Sequence, residues 1–314
     1  MDKNKNLPNK CEISTFTASD STKLRLGFFA SEGEAKATIL LINGHREFLE
    51  KYTEFIEEFQ ARGFNVYSYD HRGQGLSDRK LEDPVKSHNP NFGMLVSDID
   101  EIITGKIKPD KLEHPFYIVA HSLGAHLALR YMHDYPDVVD RTILLSPFTG
   151  FHDRSVFYVV FVKLFFAMMN LFGFGNEFAV GQAKNQQMID HENAFLKLTH
   201  DKDRYQFSQD AIEDNSNLFI GGVTYGGAAE TVKSLDELNE NGYIEKIKTS
   251  VLCLLSEDEK IVSNDVTVAL IKKMPNAEVK FIANARHEIY RETDEIRDQM
   301  WQKIDQFFSI NPIL

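Results

Sequence analysis

The chain has 314 residues and a formal net charge of −12, from 35 lysines and arginines against 47 aspartates and glutamates. Hydrophobic residues make up 42% and charged residues 26%, which is typical of globular proteins and excludes disordered, collagen-like and coiled-coil chains. The acidic balance argues against general binding of nucleic acid, because phosphate backbones select basic surfaces. The length allows one large domain or two of average size.

Short apolar runs predict the strands of the chain. The segments 13–17 and 23–29 are predicted to form an antiparallel pair. Further strands are predicted at 38–42, 66–69, 116–120, 142–145, 251–255 and 279–282. Apolar residues at helical spacing predict helices at 52–62, 123–134 and 295–308. Strands separated by helices predict an α/β fold with a mainly parallel, doubly wound sheet.

The alternation of strands and helices stops between Ser146 and Thr249. About 100 residues there lack strand-like runs but contain helical patterns, and a loop of that length is uncommon in a compact domain. We therefore predict a helical cap inserted at 148–235, with an α/β core made of 1–147 and 236–314.

The two cysteines, Cys11 and Cys253, are typical of a reducing compartment, because Cys253 lies in a predicted buried strand. The polar N-terminus is followed by no apolar region of the kind found in signal peptides. We therefore expect a cytoplasmic protein, with peripheral contact on the inner face of the membrane left open. No CxxC, HExxH or paired histidine spacing occurs, so we expect no metal.

The strongest chemical motif is Val119-Ala120-His121-Ser122-Leu123-Gly124-Ala125, between a predicted strand and a predicted helix. A nucleophile on so sharp a turn requires small residues two positions before and after it. Ala120 and Gly124 meet this requirement, although glycine is more usual at the first position. Ser122 is therefore the candidate nucleophile, and the alternative is a serine that only caps the helix.

A serine nucleophile needs a base, and the base needs an acid that orients it. When a nucleophile lies between a strand and a helix of a doubly wound sheet, the acid and then the histidine follow the serine along the chain. His287 is the only histidine beyond residue 200 and is the candidate base, the alternative being an exposed loop histidine. Three acids follow the strand at 251–255 and compete for the orienting role: Glu257, Asp258 and Glu259.

An ester attacked by serine develops an oxyanion, which backbone N–H groups can stabilise. One N–H should come from Leu123, directly after Ser122. The other should come from His45, in the loop Asn43-Gly44-His45-Arg46-Glu47 that follows the strand at 38–42. The alternative for this loop is a plain turn at Asn43-Gly44.

The segment Asp70-His71-Arg72-Gly73-Gln74-Gly75-Leu76-Ser77 lacks the third glycine of a dinucleotide loop and is predicted as a structural turn.

These motifs resemble the α/β-hydrolase superfamily, in its branch of monoglyceride lipases and lysophospholipases, and most closely the bacterial lysophospholipases of the L-two type. The resemblance covers most of the chain. The superfamily motifs are the segment Asn43-Gly44-His45-Arg46-Glu47 followed by Lys51-Tyr52, the segment from Asp70 to Ser77, and Ala120-His121-Ser122-Leu123-Gly124. The motifs shared with lysophospholipases are Leu198-Thr199-His200 with Arg204-Tyr205, Gly221-Gly222 with Thr224-Tyr225, and Ala285-Arg286-His287-Glu288.

The resemblance implies an orienting acid at Glu259, directly before Lys260-Ile261-Val262. Family members often have Asp at this position, so Glu259 is a departure and Asp258 remains an alternative. Asn43 stands where the family usually has His. The resemblance implies a serine hydrolase that cleaves the acyl ester of lysophospholipids or monoacylglycerols through Ser122, Glu259, His287 and an acyl-enzyme. It implies no cofactor, and it leaves open acyl transfer to an alcohol.

Two other functions remain open at this stage, because a fold alone does not determine a substrate. One is a small-ester carboxylesterase or a peptidase of the same fold. The other is a catalytically inactive, membrane-associated binding module. The expected partners are thus a lipid or small ester and, through the cap, a membrane surface, with no nucleic acid. The sequence says nothing about oligomeric state.

An apolar stretch lies in the predicted cap, where six of the 24 phenylalanines fall between Phe157 and Phe174. Its length suits a transmembrane helix, but a crossing here would place Ser122 and Glu259 on opposite sides of the bilayer. It would also place Lys163 near the bilayer centre, at a cost of about 3 kcal/mol. We predict instead a cap helix whose apolar face binds acyl chains, a membrane surface or both. The alternative is a cap helix packed on the core.

Overall fold

A computed structural model describes residues 6–8, 10–89, 91–151, 156–184 and 194–309, and eight strands in these ranges form one sheet. The strands are β1 (Cys11–Thr17), β2 (Lys23–Phe29), β3 (Ala37–Ile42), β4 (Phe64–Tyr69), β5 (Phe116–His121), β6 (Arg141–Leu145), β7 (Ser250–Ser256) and β8 (Ala277–Ile282). Their spatial order is β1-β2-β4-β3-β5-β6-β7-β8. β1 and β2 pair antiparallel and the other six run parallel, which confirms the predicted fold class.

Eight longer helices accompany the sheet within the described ranges. They are α1 (Thr53–Ala61), α2 (Phe92–Ile102), α3 (Leu123–Asp134), α4 (Val156–Met169), α5 (Lys202–Asp214), α6 (Tyr225–Leu238), α7 (Asn264–Ile271) and α8 (Asp294–Phe308). Short helical turns are Leu49–Tyr52, Ile103–Ile107, Pro109–Lys111, Asn170–Phe174, Ser216–Leu218, Ile244–Lys246 and Ile289–Arg291. Outside the predicted cap, every strand and helix for which bounds were predicted is present with its ends within two residues of the prediction, whereas α2 and α7 were not predicted. The apolar stretch predicted as a cap helix forms α4 and the short helical turn Asn170–Phe174.

The central strands are buried on both faces, which explains their unbroken apolar sequences. In β3, Leu40 and Ile42 pack in an apolar layer with residues of α2 and α3. Ile39 and Leu41 pack in a second layer, with residues of α1 and α8. Alternate side chains of one strand thus serve both layers, and the sheet separates them.

The turn after β4 is a structural element, as its sequence predicted. The Asp70 carboxylate accepts hydrogen bonds from the backbone N–H groups of Leu49 (2.9 Å) and Leu76 (2.8 Å). Gly75 has a φ of +50°, and a Cβ there would lie 2.2 Å from Cγ of Asp70, so the turn requires glycine at this position.

The predicted cap region contains α4, α5 and α6. Lys163 of α4 pairs with Asp236 of α6 at 2.7 Å, and the ring of Phe165 lies 5.9 Å from that of Tyr225. Among the described residues, no helix combines the length and hydropathy that crossing a membrane requires. The division into a core and a cap at 148–235 remains a prediction.

At the turn that carries Ser122, α3 begins very close to the end of β3. A Cβ on Gly124 would lie 2.3 Å from the carbonyl oxygen of Ile42 and 2.5 Å from that of Asn43. Both are backbone atoms, which cannot rotate away. Glycine at position 124 therefore allows the first turn of α3 to approach the sheet.

We predict that Gly124→Ala lowers the free energy of unfolding by about 1–3 kcal/mol, because the added methyl group must displace backbone. Urea denaturation measures the change. The control is Gly105→Ala, whose Cβ would meet a ring carbon of Phe16 at 3.3 Å and which should stay within about 0.5 kcal/mol of the wild type. Wild-type stability of Gly124→Ala would contradict the proposed close approach.

Candidate active site

Ser122 lies on the sharp turn between β5 and α3. Its φ of +50° is in the left-handed region that non-glycine residues rarely adopt, and its ψ is −112°. Backbone hydrogen bonds hold the turn, from Ser122 N to Leu145 O (2.9 Å) and from Phe148 N to Ser122 O (3.0 Å). The Ser122 side chain makes no capping bond to α3, so the capping alternative does not account for this serine.

The side chains of Ser122, His287 and Glu259 form a hydrogen-bonded line. Nε2 of His287 lies 3.0 Å from Oγ of Ser122, and Nδ1 of His287 lies 2.8 Å from Oε2 of Glu259. The other oxygen of Glu259 accepts from the backbone N–H groups of Ile261 (2.7 Å) and Val262 (3.2 Å). The turn that follows β7 therefore holds the carboxylate towards the imidazole.

The competing acids make other contacts. Asp258 is 40% exposed and pairs with Lys260 at 2.5 Å. Glu257 accepts a hydrogen bond from the backbone N–H of Asn284 at 3.0 Å. Of the three predicted candidates, Glu259 is the one that contacts His287.

Burial and charge act in opposite directions on this pair. Burial alone would lower the pKa of His287, but the carboxylates of Glu259, Glu288 and Glu47 together, with Glu259 first among them, raise that pKa above its ordinary value. Burial would likewise raise the pKa of Glu259, but the charge and hydrogen bond of His287 lower it. The pair therefore favours an ionised Glu259 beside a histidine that gains a proton more readily than usual.

Two serines at neighbouring strand ends hold the loop that carries His287. The Ser256 hydroxyl donates to the carbonyl oxygen of Arg286 at 2.6 Å. Its single proton is then used, so the Ser146 hydroxyl, 2.9 Å away, donates to Ser256. These bonds join the ends of β6 and β7 to the loop after β8.

A segment of the predicted cap also fastens this loop. The backbone N–H groups of His287 and Glu288 donate to the carbonyl oxygens of Lys197 (3.3 Å) and Leu198 (2.9 Å). The guanidinium of Arg286 donates to the carbonyl oxygen of Thr199 at 2.8 Å. The sequence alone suggested no contact for the Leu198-Thr199-His200 motif. In the structure this motif lies against the loop that carries His287.

The loop after β3 has fixed neighbours on both sides of His45. The N–H of Gly44 donates to the carboxylate of Glu47, and the N–H of Arg46 donates to Oε1 of Gln74 at 2.5 Å. Arg46 has a φ of +61°. Among the described residues, the backbone N–H groups of His45 and Leu123 have no hydrogen-bond acceptor. They remain available for a negatively charged oxygen.

The His45 imidazole points away from this role, because its Nε2 lies 2.7 Å from Oγ of Ser87. Burial lowers the pKa of His45 to about 3, so the ring is neutral at physiological pH. The Ser87 backbone in turn pairs with Gly222 and Thr224, in the segment that returns from the predicted cap.

Sequence reasoning named Glu47, Lys51 and Glu288 only as parts of motifs and assigned no contact to them. The structure joins them in a buried cluster, with Nζ of Lys51 at 3.1 Å from Oε1 of Glu47 and at 2.5 Å from Oε1 of Glu288. The sequence did offer one signal: Glu47 and Lys51 belong to the motif that contains His45, and Glu288 belongs to the motif that contains His287.

Comparisons with known proteins agree with this architecture. The family model described as serine aminopeptidase, S33, matches residues 33–294. A probable lysophospholipase L2 of Haemophilus influenzae is 29% identical over 279 residues, covering 89% of this chain and 86% of that protein. Lysophospholipase L2 of Escherichia coli K12 is 26% identical over 301 residues, covering 94% of this chain and 86% of that protein.

Solved structures show the same fold. A soluble variant of monoglyceride lipase from Saccharomyces cerevisiae, in complex with a substrate analogue, has a TM-score of 0.75 at 17% identity and covers 98% of this chain and 99% of its own. A carboxyl esterase from Bacillus coagulans, in complex with glycerol, has a TM-score of 0.72 at 14% identity, covering 96% of this chain and 99% of its own. The chain is therefore a hydrolase of the α/β-hydrolase fold and belongs to the serine aminopeptidase S33 family.

Proposed function

We propose that the enzyme hydrolyses the acyl ester of lysophospholipids or monoacylglycerols, with Ser122 as nucleophile, His287 as base and Glu259 as the acid that orients the base. The observation that carries the proposal is the hydrogen-bonded line of 3.0 Å and 2.8 Å through these three side chains. The strained turn at Ser122 supports it, because such strain at a polar residue is typical of functional sites.

In the first half of the reaction, His287 takes the proton of the Ser122 hydroxyl as Oγ attacks the ester carbonyl. The N–H groups of His45 and Leu123 stabilise the oxyanion that develops. His287 then gives its proton to the departing alcohol oxygen, which leaves an acyl group on Ser122.

In the second half, water attacks the acyl-enzyme and His287 acts again as base. Another alcohol in the place of water would give acyl transfer. Glu259 keeps the proton of the neutral imidazole on Nδ1, so that Nε2 is free to accept the proton of Ser122.

The lipid part of the proposal is supported by an exposed apolar surface on the predicted cap. We name it the cap apolar surface and define it as Leu164, Met168, Leu171, Phe172, Phe174 and Val180, whose exposed fractions run from 45% to 84%. They lie within residues 164–180 of the sequence, and a concentration of exposed apolar side chains favours a site that binds lipid or protein. The names of the lysophospholipase and monoglyceride lipase relatives favour lipid.

We propose that this surface docks the cytoplasmic enzyme on the inner face of the membrane and guides acyl chains towards Ser122. Lys163 pairs with Asp236 and Phe165 contacts Tyr225, both on α6, whereas Leu164 and Met168 of α4 are exposed to solvent. With a net charge of −12, docking would depend on apolar contact rather than on attraction to anionic lipid.

The first test is labelling with a fluorophosphonate, which modifies activated serines. We expect the wild type to be labelled and Ser122→Ala to lose both the label and at least about 1,000-fold in kcat on p-nitrophenyl butyrate. Circular dichroism checks that the variant is folded. An unlabelled wild type, or a folded Ser122→Ala variant with normal activity, would refute the proposed nucleophile.

The second test separates the competing acids. We expect kcat/KM to fall on the acid side with a midpoint above about pH 6.5, because His287 must be neutral to act as base and its pKa is raised. Glu259→Gln removes the charge that raises this pKa, so the midpoint should move to lower pH while kcat falls about 100- to 10,000-fold.

Asp258→Asn is the matched control for the acid. It neutralises the preceding carboxylate, which pairs with Lys260, and kcat should stay within about 3-fold of the wild type. Equal small losses in the two variants would show that Glu259 does not orient His287.

The third test concerns the cap apolar surface. The double variant Leu171→Asp, Phe172→Asp should lose at least about 10-fold in binding to phosphatidylcholine vesicles, because charges replace exposed apolar groups. Activity on monoacylglycerol micelles should fall in parallel, while activity on soluble p-nitrophenyl acetate stays unchanged. Co-sedimentation and initial rates measure the two effects.

The control for the cap is Phe281→Asp, because Phe281 is a 48% exposed phenylalanine on β8, at the edge of the sheet. It should bind vesicles like the wild type.

The substrate preference of the wild type decides between the lipid proposal and its alternatives. A preference for short soluble esters, with no response to micelles, would replace the lipid proposal with a small-ester carboxylesterase. Cleavage of an aminopeptidase substrate would favour a peptidase.

A further inference from the structure

A cluster of buried charged groups lies between the two loops that carry His45 and His287. We name it the Glu47 cluster and define it as Glu47, Lys51, His121 and Glu288. The exposed fractions of the Glu47 and Glu288 side chains are 3% and 2%. Burying carboxylates is costly unless they are paired and hydrogen-bonded, so the contacts of this cluster call for an explanation.

The Glu47 carboxylate uses both of its oxygens. Five polar groups surround it, three at Oε2 and two at Oε1. Those at Oε2 are the Gly44 N–H, the Tyr52 hydroxyl and Nδ1 of His121 (3.1 Å), and those at Oε1 are Nζ of Lys51 (3.1 Å) and the Tyr290 hydroxyl (3.2 Å). A carboxylate accepts hydrogen bonds at both oxygens. A glutamine in its place would have an NH2 group at one of these positions, and its two hydrogens would face groups that now bind the carboxylate.

Glu47 reaches the oxyanion loop directly. Its bond to the N–H of Gly44 fixes the Asn43–Gly44 peptide, and the bond from Arg46 N to Gln74 fixes the His45–Arg46 peptide. Between these two anchors the N–H of His45 is the one proposed to stabilise the oxyanion.

Glu47 reaches the base loop by two further routes. His121, bonded to Glu47 through Nδ1, places its Nε2 3.2 Å from the carbonyl oxygen of His287. Lys51, bonded to Oε1 of Glu47, contacts Glu288 at 2.5 Å, directly after His287 in the chain. One carboxylate therefore connects the loop of the oxyanion donor with the loop of the base.

We propose that Glu47 is a positioning residue that holds the loop of His45 and the loop of His287 in a fixed position relative to each other. The inference rests on the proposed roles of Ser122, His45 and His287. It assigns Glu47 no contact with the substrate, and it predicts that its loss affects the transition state more than substrate binding.

The charges that surround His287 give the inference a second readout. The carboxylates that face it are Glu259, Glu288 and Glu47, and the ring of His121 lies 5.0 Å from its own. The cations beside Glu288 are Lys51 and Arg291, whereas Arg286 lies 3.8 Å from Asp258. Burial lowers the pKa of His287, and the three carboxylates together raise it. Removal of the Glu47 charge should therefore lower this pKa, and removal of the Lys51 charge should raise it.

The experiment compares Glu47→Gln with the wild type on p-nitrophenyl butyrate. We expect kcat to fall about 10- to 100-fold with KM within about 2-fold, and the acid midpoint of kcat/KM to move to lower pH. Inhibition by an alkyl trifluoromethyl ketone, whose adduct with serine carries an oxyanion, should weaken in proportion to kcat/KM.

The matched control is Glu50→Gln, three residues away. Glu50 is also buried, with 8% of its side chain exposed, and pairs with Arg25 at 2.7 Å, but among the described residues its side chain bonds to neither loop. We expect it to lose stability to urea while keeping wild-type kcat, pH profile and inhibition. If Glu47→Gln behaves in the same way, the inference is wrong and Glu47 serves stability alone.

A second variant covers the case in which Glu47→Gln does not fold. Lys51→Met removes only the link between Glu47 and Glu288, and it should lower kcat while moving the acid midpoint to higher pH. An unchanged midpoint would overturn the inference. Fluorophosphonate labelling of the wild type distinguishes the two failures, because an unlabelled wild type would refute the proposed function itself.

Discussion

The hydrogen bonds of His287 to Ser122 and to Glu259 depend on three strand ends that meet at one edge of the sheet. Ser122 follows β5, Glu259 follows β7 and His287 follows β8, so residues far apart in sequence must come within hydrogen-bond distance of one another. A parallel sheet solves part of this problem, because the carboxyl ends of its strands lie together. The loops that leave these ends still require their own restraints.

Those restraints are polar contacts, most of them buried. The hydroxyls of Ser146 and Ser256, the backbone of residues 197–199 and the carboxylate of Glu47 each hold one of the loops. A buried polar group that loses its hydrogen-bond partner destabilises the fold. Loss of one partner in this network would therefore also weaken the contacts of its neighbours. The same contacts that stabilise the loops also set the distances on which the proposed chemistry depends.

Much of this architecture could be predicted from the sequence, for reasons that differ between elements. β3 and β5 are continuous apolar runs, and the Ser122 turn carries the small residues that its geometry requires. The acid could not be assigned from the residues alone, because Asp258 and Glu259 are neighbours and only the turn after β7 decides which side chain faces His287. The proposed role of Glu47 could not be predicted either, since its partners lie on segments that sequence spacing does not relate. α7 has only eight residues, too few for a clear helical period.

The central claim is that Ser122 carries the acyl group between the two halves of the reaction. Rapid mixing of the enzyme with p-nitrophenyl butyrate, acid quenching and mass spectrometry of peptides test it most directly, because an activated ester favours accumulation of the acyl-enzyme. The account predicts a burst of one p-nitrophenolate per enzyme and a butyryl group on the peptide that contains Ser122. A burst with the butyryl group on another residue, and an unmodified Ser122, would contradict it.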